Sequence, residues 1–195
     1  MKKLISEYKK DIISFCENLN DDALASVCQM FLETYKNKKK FFVAGNGGSA
    51  GTANHFTCDF GKNALPGSDI NRPKIISLSA NIEVLTALGN DFSYSDVFSE
   101  QLKNLMDDGD LVLLISASGN SPNVVEAAKY AKTRNGRVIS FTGFKGGKLK
   151  DLSDININVP STSYEQIEDM HMLFTHVIVC YFKSLKLNKK ENPYE

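Results

Sequence analysis

The chain of 195 residues has no net charge, because 23 Lys and Arg balance 23 Asp and Glu. Without a global field toward nucleic acid or an anionic membrane, an anionic ligand has to be held by a local site. No uninterrupted apolar run is long enough to span a bilayer, and Met1-Lys2-Lys3-Leu4 leads into an amphipathic pattern rather than a signal-peptide core. These absences predict a cytoplasmic protein with neither nucleic-acid nor membrane partners. Cys16, Cys28, Cys58 and Cys180 form no C-x-x-C pair, which argues against a zinc knuckle or a disulfide framework and predicts reduced, buried thiols. Linkers, repeats and low-complexity segments are missing as well. Residues 1–195 therefore read as a single domain, long enough to bury a core without staples.

What is present is an alternation of patterns. Leu4, Ile5, Tyr8, Ile12, Phe15, Cys16 and Leu19 recur at steps of three and four, which predicts an amphipathic helix. Asn20-Asp21-Asp22 offers a break and an N-cap for a second helix over Asp21 to Tyr35, so residues 1–36 read as a helical pair. Short apolar runs at Phe41 to Ala44, Ile75 to Leu78, Leu111 to Ile115 and Val138 to Phe141 predict buried parallel strands. Ile155-Asn156-Ile157-Asn158-Val159 alternates apolar with polar ahead of Pro160, the pattern of an edge strand. Helical stretches fall at Ser49 to Phe60, Asn81 to Leu88, Ser95 to Met106, Ser121 to Thr133 and Tyr164 to Leu185, with a loop at Asn63 to Pro73 and a frayed tail at 188–195. The expected fold is a doubly wound α/β sandwich around a five-stranded parallel sheet. Its helices suffice to cover both faces, which leaves the apolar stripe of the first helix for oligomerisation.

Two turns nearly devoid of large side chains follow two of these strands: Gly45-Asn46-Gly47-Gly48-Ser49 and Ser116-Ala117-Ser118-Gly119-Asn120-Ser121. In an open α/β sheet ligands bind beyond the carboxyl ends of the strands, where helix N-termini present unpaired N–H groups. Ser116, Ser118 and Ser121 add hydroxyl donors there. Neither G-x-G-x-x-G nor G-x-x-x-x-G-K-[ST] occurs, so a small phosphorylated ligand is expected rather than a dinucleotide or nucleoside triphosphate.

His55 and Asp59 are spaced i, i+4 and share a helix face. Glu165, Glu168 and His176 fall in one stripe of the final helix, with His171 to one side. Spacing leaves two readings open: two faces that meet over the cradle to supply acid, base and metal ligands, or a packed histidine, a buried histidine and a solvated first turn.

The ordered set Ala44-Gly45-Asn46-Gly47-Gly48-Ser49, Asn54-His55-Phe56, Leu88-Gly89-Asn90-Asp91-Phe92, Ile115-Ser116-Ala117-Ser118-Gly119-Asn120-Ser121, Thr142-Gly143 with Gly146-Gly147-Lys148, and Met170-His171-Met172 resembles the phosphoheptose isomerases of the sugar isomerase (SIS) fold. The resemblance covers nearly the whole chain. It implies isomerisation of sedoheptulose 7-phosphate to D-glycero-D-manno-heptose 7-phosphate through an enediol, a homotetramer with shared active sites, and zinc. By the same resemblance Ser49, Ser116, Ser118 and Ser121 hold phosphate, Asn46, Gly47, Asn90, Asp91 and Glu165 contact the substrate, His55 is a metal ligand and His176 an acid or base. The chain departs from the family pattern at Asp59, where Glu is usual, at Glu168, where Gln is usual, and at Ala117, where Thr is usual. The expected metal site is His55, Asp59, Glu168 and His176, with either Asp59 or Glu168 as the catalytic base. A non-catalytic SIS-fold adaptor for a protein such as a replication initiator, and an isomerase of another phosphosugar, are the alternatives.

Overall fold

A computed structural model describes residues 1–65 and 72–185. Residues 66–71 of the expected loop and the expected tail at 188–195 lie outside the described residues.

The helical pair forms as α1 (Lys2–Glu17) and α2 (Asp21–Lys36), the latter capped by the Asn20 side chain on the amide of Ala23. The alternation then runs β1 (Lys40–Gly45), α3 (Gly48–Asn63), β2 (Lys74–Ser77), α4 (Ile82–Asp91), α5 (Ser99–Leu105), β3 (Leu111–Ser116), α6 (Pro122–Thr133), β4 (Arg137–Gly143), α7 (Gly147–Leu152), β5 (Ile155–Val159) and α8 (Tyr164–Ser184). All four strand pairings are parallel, in the order β2-β1-β3-β4-β5. The alternating strand is at the edge, as expected.

Because side chains alternate across a strand, each central strand feeds two cores. Phe41, Val43, Leu111, Leu113 and Ile115 pack with α2, α3 and α8 on one face, where Phe31, Phe56, Phe60 and Phe182 make an aromatic cluster. Phe42, Ala44, Val112 and Leu114 pack with α5, α6 and α7 on the other, joined at its margin by Leu85 and Leu88 of α4. Helix α1 stands apart: none of its residues is buried, and Ile12 and Phe15 only rest against the first core.

Three expectations need correction. Helix α5 begins at Ser99 and not Ser95, because Ser93 and Ser95 close a turn by a hydroxyl contact and an Asp96 N–H bond to the Ser93 carbonyl. Helix α7 was not expected at all; its six residues are too few to show a helical period. Of the four thiols only Cys28 is buried, while Cys16, Cys58 and Cys180 are exposed on helices.

Candidate active site

The order 2-1-3-4-5 reverses direction between β1 and β3, and the crevice there is where doubly wound folds bind ligands. Both glycine-and-serine turns leave the sheet at this point, one into α3 and one into α6. Gly47, the N-cap of α3, has φ +53° and ψ −122°, a conformation open to glycine and costly for other residues. It lets the chain reverse so that the first amides of α3 face the crevice. Helix α6 enters through Ser121 with Pro122 in its first turn, where the missing N–H is harmless. The second turn is braced from behind by α7: Leu149 N–H donates to Gly119 O at 3.0 Å and Lys148 N–H to Asn120 Oδ1 at 3.1 Å.

Between the turns lies a cavity of about 150 Å³, lined by Asn46, Ser49, Ser116, Ser118 and Ser121 and closed by Tyr164 and Glu168. The Ser116 and Ser118 hydroxyl oxygens each accept a backbone N–H, from Gly119 and Asn120 at 3.2 Å. That leaves their protons available to an anion. Ser49 and Ser121 have no side-chain partner among the described residues, so the cavity offers hydroxyl and amide donors without a cation.

The two helices that carry the histidines run alongside each other. At their first turns Glu168 packs against Gly48, so closely that a Cβ at position 48 would lie 2.2 Å from Glu168 Oε2. Further along, His55, Asp59 and His176 converge: His55 Nε2 is 3.0 Å from His176 Nε2 and 3.3 Å from Asp59 Oδ2, and His176 Nε2 is 3.8 Å from that oxygen. One nitrogen from each histidine and one carboxylate oxygen from Asp59 fall within 4.8 Å of one another, a possible metal-binding triad. Histidine and carboxylate are zinc ligands with arms of about 2.0–2.2 Å, so donors separated by 3.0, 3.3 and 3.8 Å would be able to reach one ion.

Glu168 is not in that group. Eight residues of α8 separate it from His176, a rise of about 12 Å, and its carboxylate turns into the serine cavity instead. Burial there, with Glu165 and Asp169 nearby, holds its carboxyl above the usual carboxylate range. Glu165 is exposed and accepts the Ser163 hydroxyl at 2.7 Å, which lowers its pKa. Asn90 and Asp91 bond to each other at 2.8 Å at the exposed end of α4 and do not line the cavity. His171 is a buried histidine, as the second of the two readings has it: it is 0% exposed, its Nε2 lies 3.1 Å from Thr142 O, and its Nδ1 has no partner among the described residues.

Sequence reasoning missed three contributors. Tyr164 closes the cavity, stacked edge-on against Phe144. Ser79 fixes the end of β1, accepting from Gly45 N at 3.1 Å and donating to Gly45 O at 2.8 Å. Asn123 bonds to Asn46 through both amide groups at 2.9 Å. Only Asn123 had a visible signal, as a polar residue inside the first turn of a helix with an apolar face.

Residues 7–143 match the SIS domain family. The chain is 40% identical over 163 residues to a phosphoheptose isomerase of Aliarcobacter butzleri, covering 80% of this chain and 82% of the relative. It is 36% identical over 179 residues to that of Helicobacter pylori, covering 91% of each. The solved structure of phosphoheptose isomerase from Neisseria gonorrhoeae superposes with a TM-score of 0.85 at 30% identity, over 94% of this chain and 97% of that one. Matched in sequence and in fold over most of its length, this chain belongs to the phosphoheptose isomerases of the SIS-domain family.

Proposed function

We propose that the protein is an aldose–ketose isomerase that converts sedoheptulose 7-phosphate to D-glycero-D-manno-heptose 7-phosphate, working as one domain over residues 1–195 in the cytoplasm. One observation carries this reading: a serine cradle at two helix N-termini, set along α3 and α8 from a His–Asp–His cluster. The offset is about 10 Å, from six residues of α3 between Ser49 and His55 and eight of α8 between Glu168 and His176 at 1.5 Å each. An extended chain advances about 1.2 Å per bond, so a phosphate in the cradle places C1 and C2 of a seven-carbon sugar near the cluster, which a triose phosphate does not reach.

The phosphate is held by Ser49, Ser116, Ser118 and Ser121 with the amides of the first turn of α3, including Gly48, and with Gly47 leaving space above them. His55, Asp59 and His176 would hold zinc, which would supply Lewis acidity toward the sugar oxygens. Asp59 takes a proton from C1 and, after exchange with solvent, delivers one to C2, while the O1 proton passes to O2, so the product is an isomer with no net gain or loss. Glu168 lines the cradle, where it accepts from sugar hydroxyls; Asn90, Asp91 and Glu165 complete the sugar pocket.

The assembly is a homotetramer with shared sites. Its support is α1, whose Leu4, Ile5 and Ile13 are 63%, 46% and 56% exposed on an otherwise amphipathic helix. The proposal is tested by incubating the protein with sedoheptulose 7-phosphate in deuterated water. An aldose carrying deuterium at C2 is expected; failure to form the aldose would contradict it.

A further inference from the structure

Asn46 is already hydrogen-bonded through both its amide oxygen and its amide nitrogen before any ligand arrives. Its Nδ2 donates to Asn123 Oδ1 and its Oδ1 accepts from Asn123 Nδ2, both at 2.9 Å, so the two amides close a ring. The same Oδ1 accepts the Tyr94 hydroxyl at 3.0 Å. Asn123 is 1% exposed in the first turn of α6, and its Oδ1 also accepts the Val124 amide at 3.0 Å. It is thereby as fixed to the second turn as Asn46 is to the first. Tyr94 comes from a third place. Its ring rests on α4, where a Cβ added to Gly89 would lie 3.8 Å from Tyr94 Cδ2, next to Asn90 and Asp91. The ring is otherwise 61% exposed, so the hydroxyl bond is what ties it down. An amide pair joined by two hydrogen bonds, with Asn123 buried and Asn46 partly buried, favours one geometry, and here that geometry is the gap between the two halves of the cradle.

We propose that Asn123 and Tyr94 are positioning residues that act through Asn46. Asn123 sets the separation of the two turns, so that their serines converge on one phosphate. Tyr94 fastens the end of α4, with Asn90 and Asp91, to the same point and so aligns the sugar with the phosphate. Neither residue touches the reacting atoms. The Tyr94 half rests on the isomerase reading above; the Asn123 half needs only the cradle.

Titration calorimetry with inorganic phosphate tests the first half on the wild type, Asn46→Ala, Asn123→Ala and the double variant. Asn123→Ala should weaken phosphate by about tenfold alone and by less than about twofold once Asn46 is gone, because residues acting through one contact are not additive. Additive losses, or a lower melting temperature with unchanged phosphate affinity, would overturn it. Tyr94→Phe keeps the ring on Gly89 and should leave melting temperature and phosphate affinity unchanged, while KM for sedoheptulose 7-phosphate rises several-fold and kcat holds. Unchanged KM would overturn the second half. A wild type without turnover would instead sink the isomerase reading, and Tyr94→Phe is then judged by calorimetry with the sugar phosphate, which it must still weaken while sparing inorganic phosphate.

Discussion

The Nε2 atoms of His55 and His176 stand 3.0 Å apart across 121 positions of sequence, with Asp59 Oδ2 within 4 Å of both. In the absence of an ion such a pair is held by a single hydrogen bond, one ring donating and the other accepting. Three donor atoms so close together could hold a metal ion, and this is the feature on which the proposed chemistry rests.

Asp59→Asn should lower kcat by about 10²- to 10⁴-fold, the usual worth of a positioned base, and His176→Ala, which removes a ligand of the cluster, should lower it as well. Both residues are partly exposed, so melting temperatures should move little. Steady-state kinetics beside a thermal melt checks this, and a variant retaining near wild-type kcat removes that residue from the mechanism.

Glu168→Gln distinguishes the two carboxylates. Removing a negative charge from the cavity should tighten inorganic phosphate, read as stronger competitive inhibition, and change kcat by less than about tenfold, against the larger losses of a true base. A loss as deep as that of Asp59→Asn would make Glu168 the base. Gly48→Ala, whose methyl would meet the Glu168 carboxylate, should displace that side chain and shift phosphate inhibition in the same direction.

Ser121→Ala removes a hydroxyl with no side-chain partner among the described residues, so the fold should not notice its loss. A hydrogen bond to a charged group contributes about 1.5–3 kcal/mol, which predicts phosphate binding weaker by roughly tenfold to a hundredfold with kcat nearly unchanged. Equal KM values for variant and wild type would place the phosphate elsewhere.

His171 makes stability depend on pH. Burial depresses its pKa to about 4, below the value near 6.5 of an unfolded histidine. The unfolded chain then binds a proton that the folded chain refuses. Stability is complete above pH 6.5 and falls as pH drops from 6.5 through 4, by at most about 3 kcal/mol. Urea unfolding at pH 7.5, 6, 5 and 4 measures it, and His171→Leu should flatten the dependence across that window. An equally steep fall in the variant would assign the effect to other groups.

The fold was largely legible because its strands are short β-branched and aromatic runs and its longer helices have clear periods. What escaped were elements too short to show a period, such as α7 (Gly147–Leu152), and thiols whose helices expose them. In the site, i, i+4 spacing correctly put His55 and Asp59 on one face. The stripe of α8 said nothing of the distance along the axis, so Glu168 and His176 read as neighbours although a rise of about 12 Å divides them. The bond between Asn46 and Asn123 spans 77 positions and that between Asn46 and Tyr94 spans 48. Such contacts are set by the pairing of β1 with β3 and by the place of the segment after α4, which no local pattern encodes.

The measurement that bears most directly on the central claim is turnover of sedoheptulose 7-phosphate by the purified protein as isolated, after chelation, and after zinc is restored. The account predicts aldose formation that falls on chelation and returns with zinc in the wild type but not in His55→Ala. Turnover indifferent to chelator and to His55→Ala would contradict the role given to the His–Asp–His cluster, and no turnover under any metal would contradict the isomerase itself.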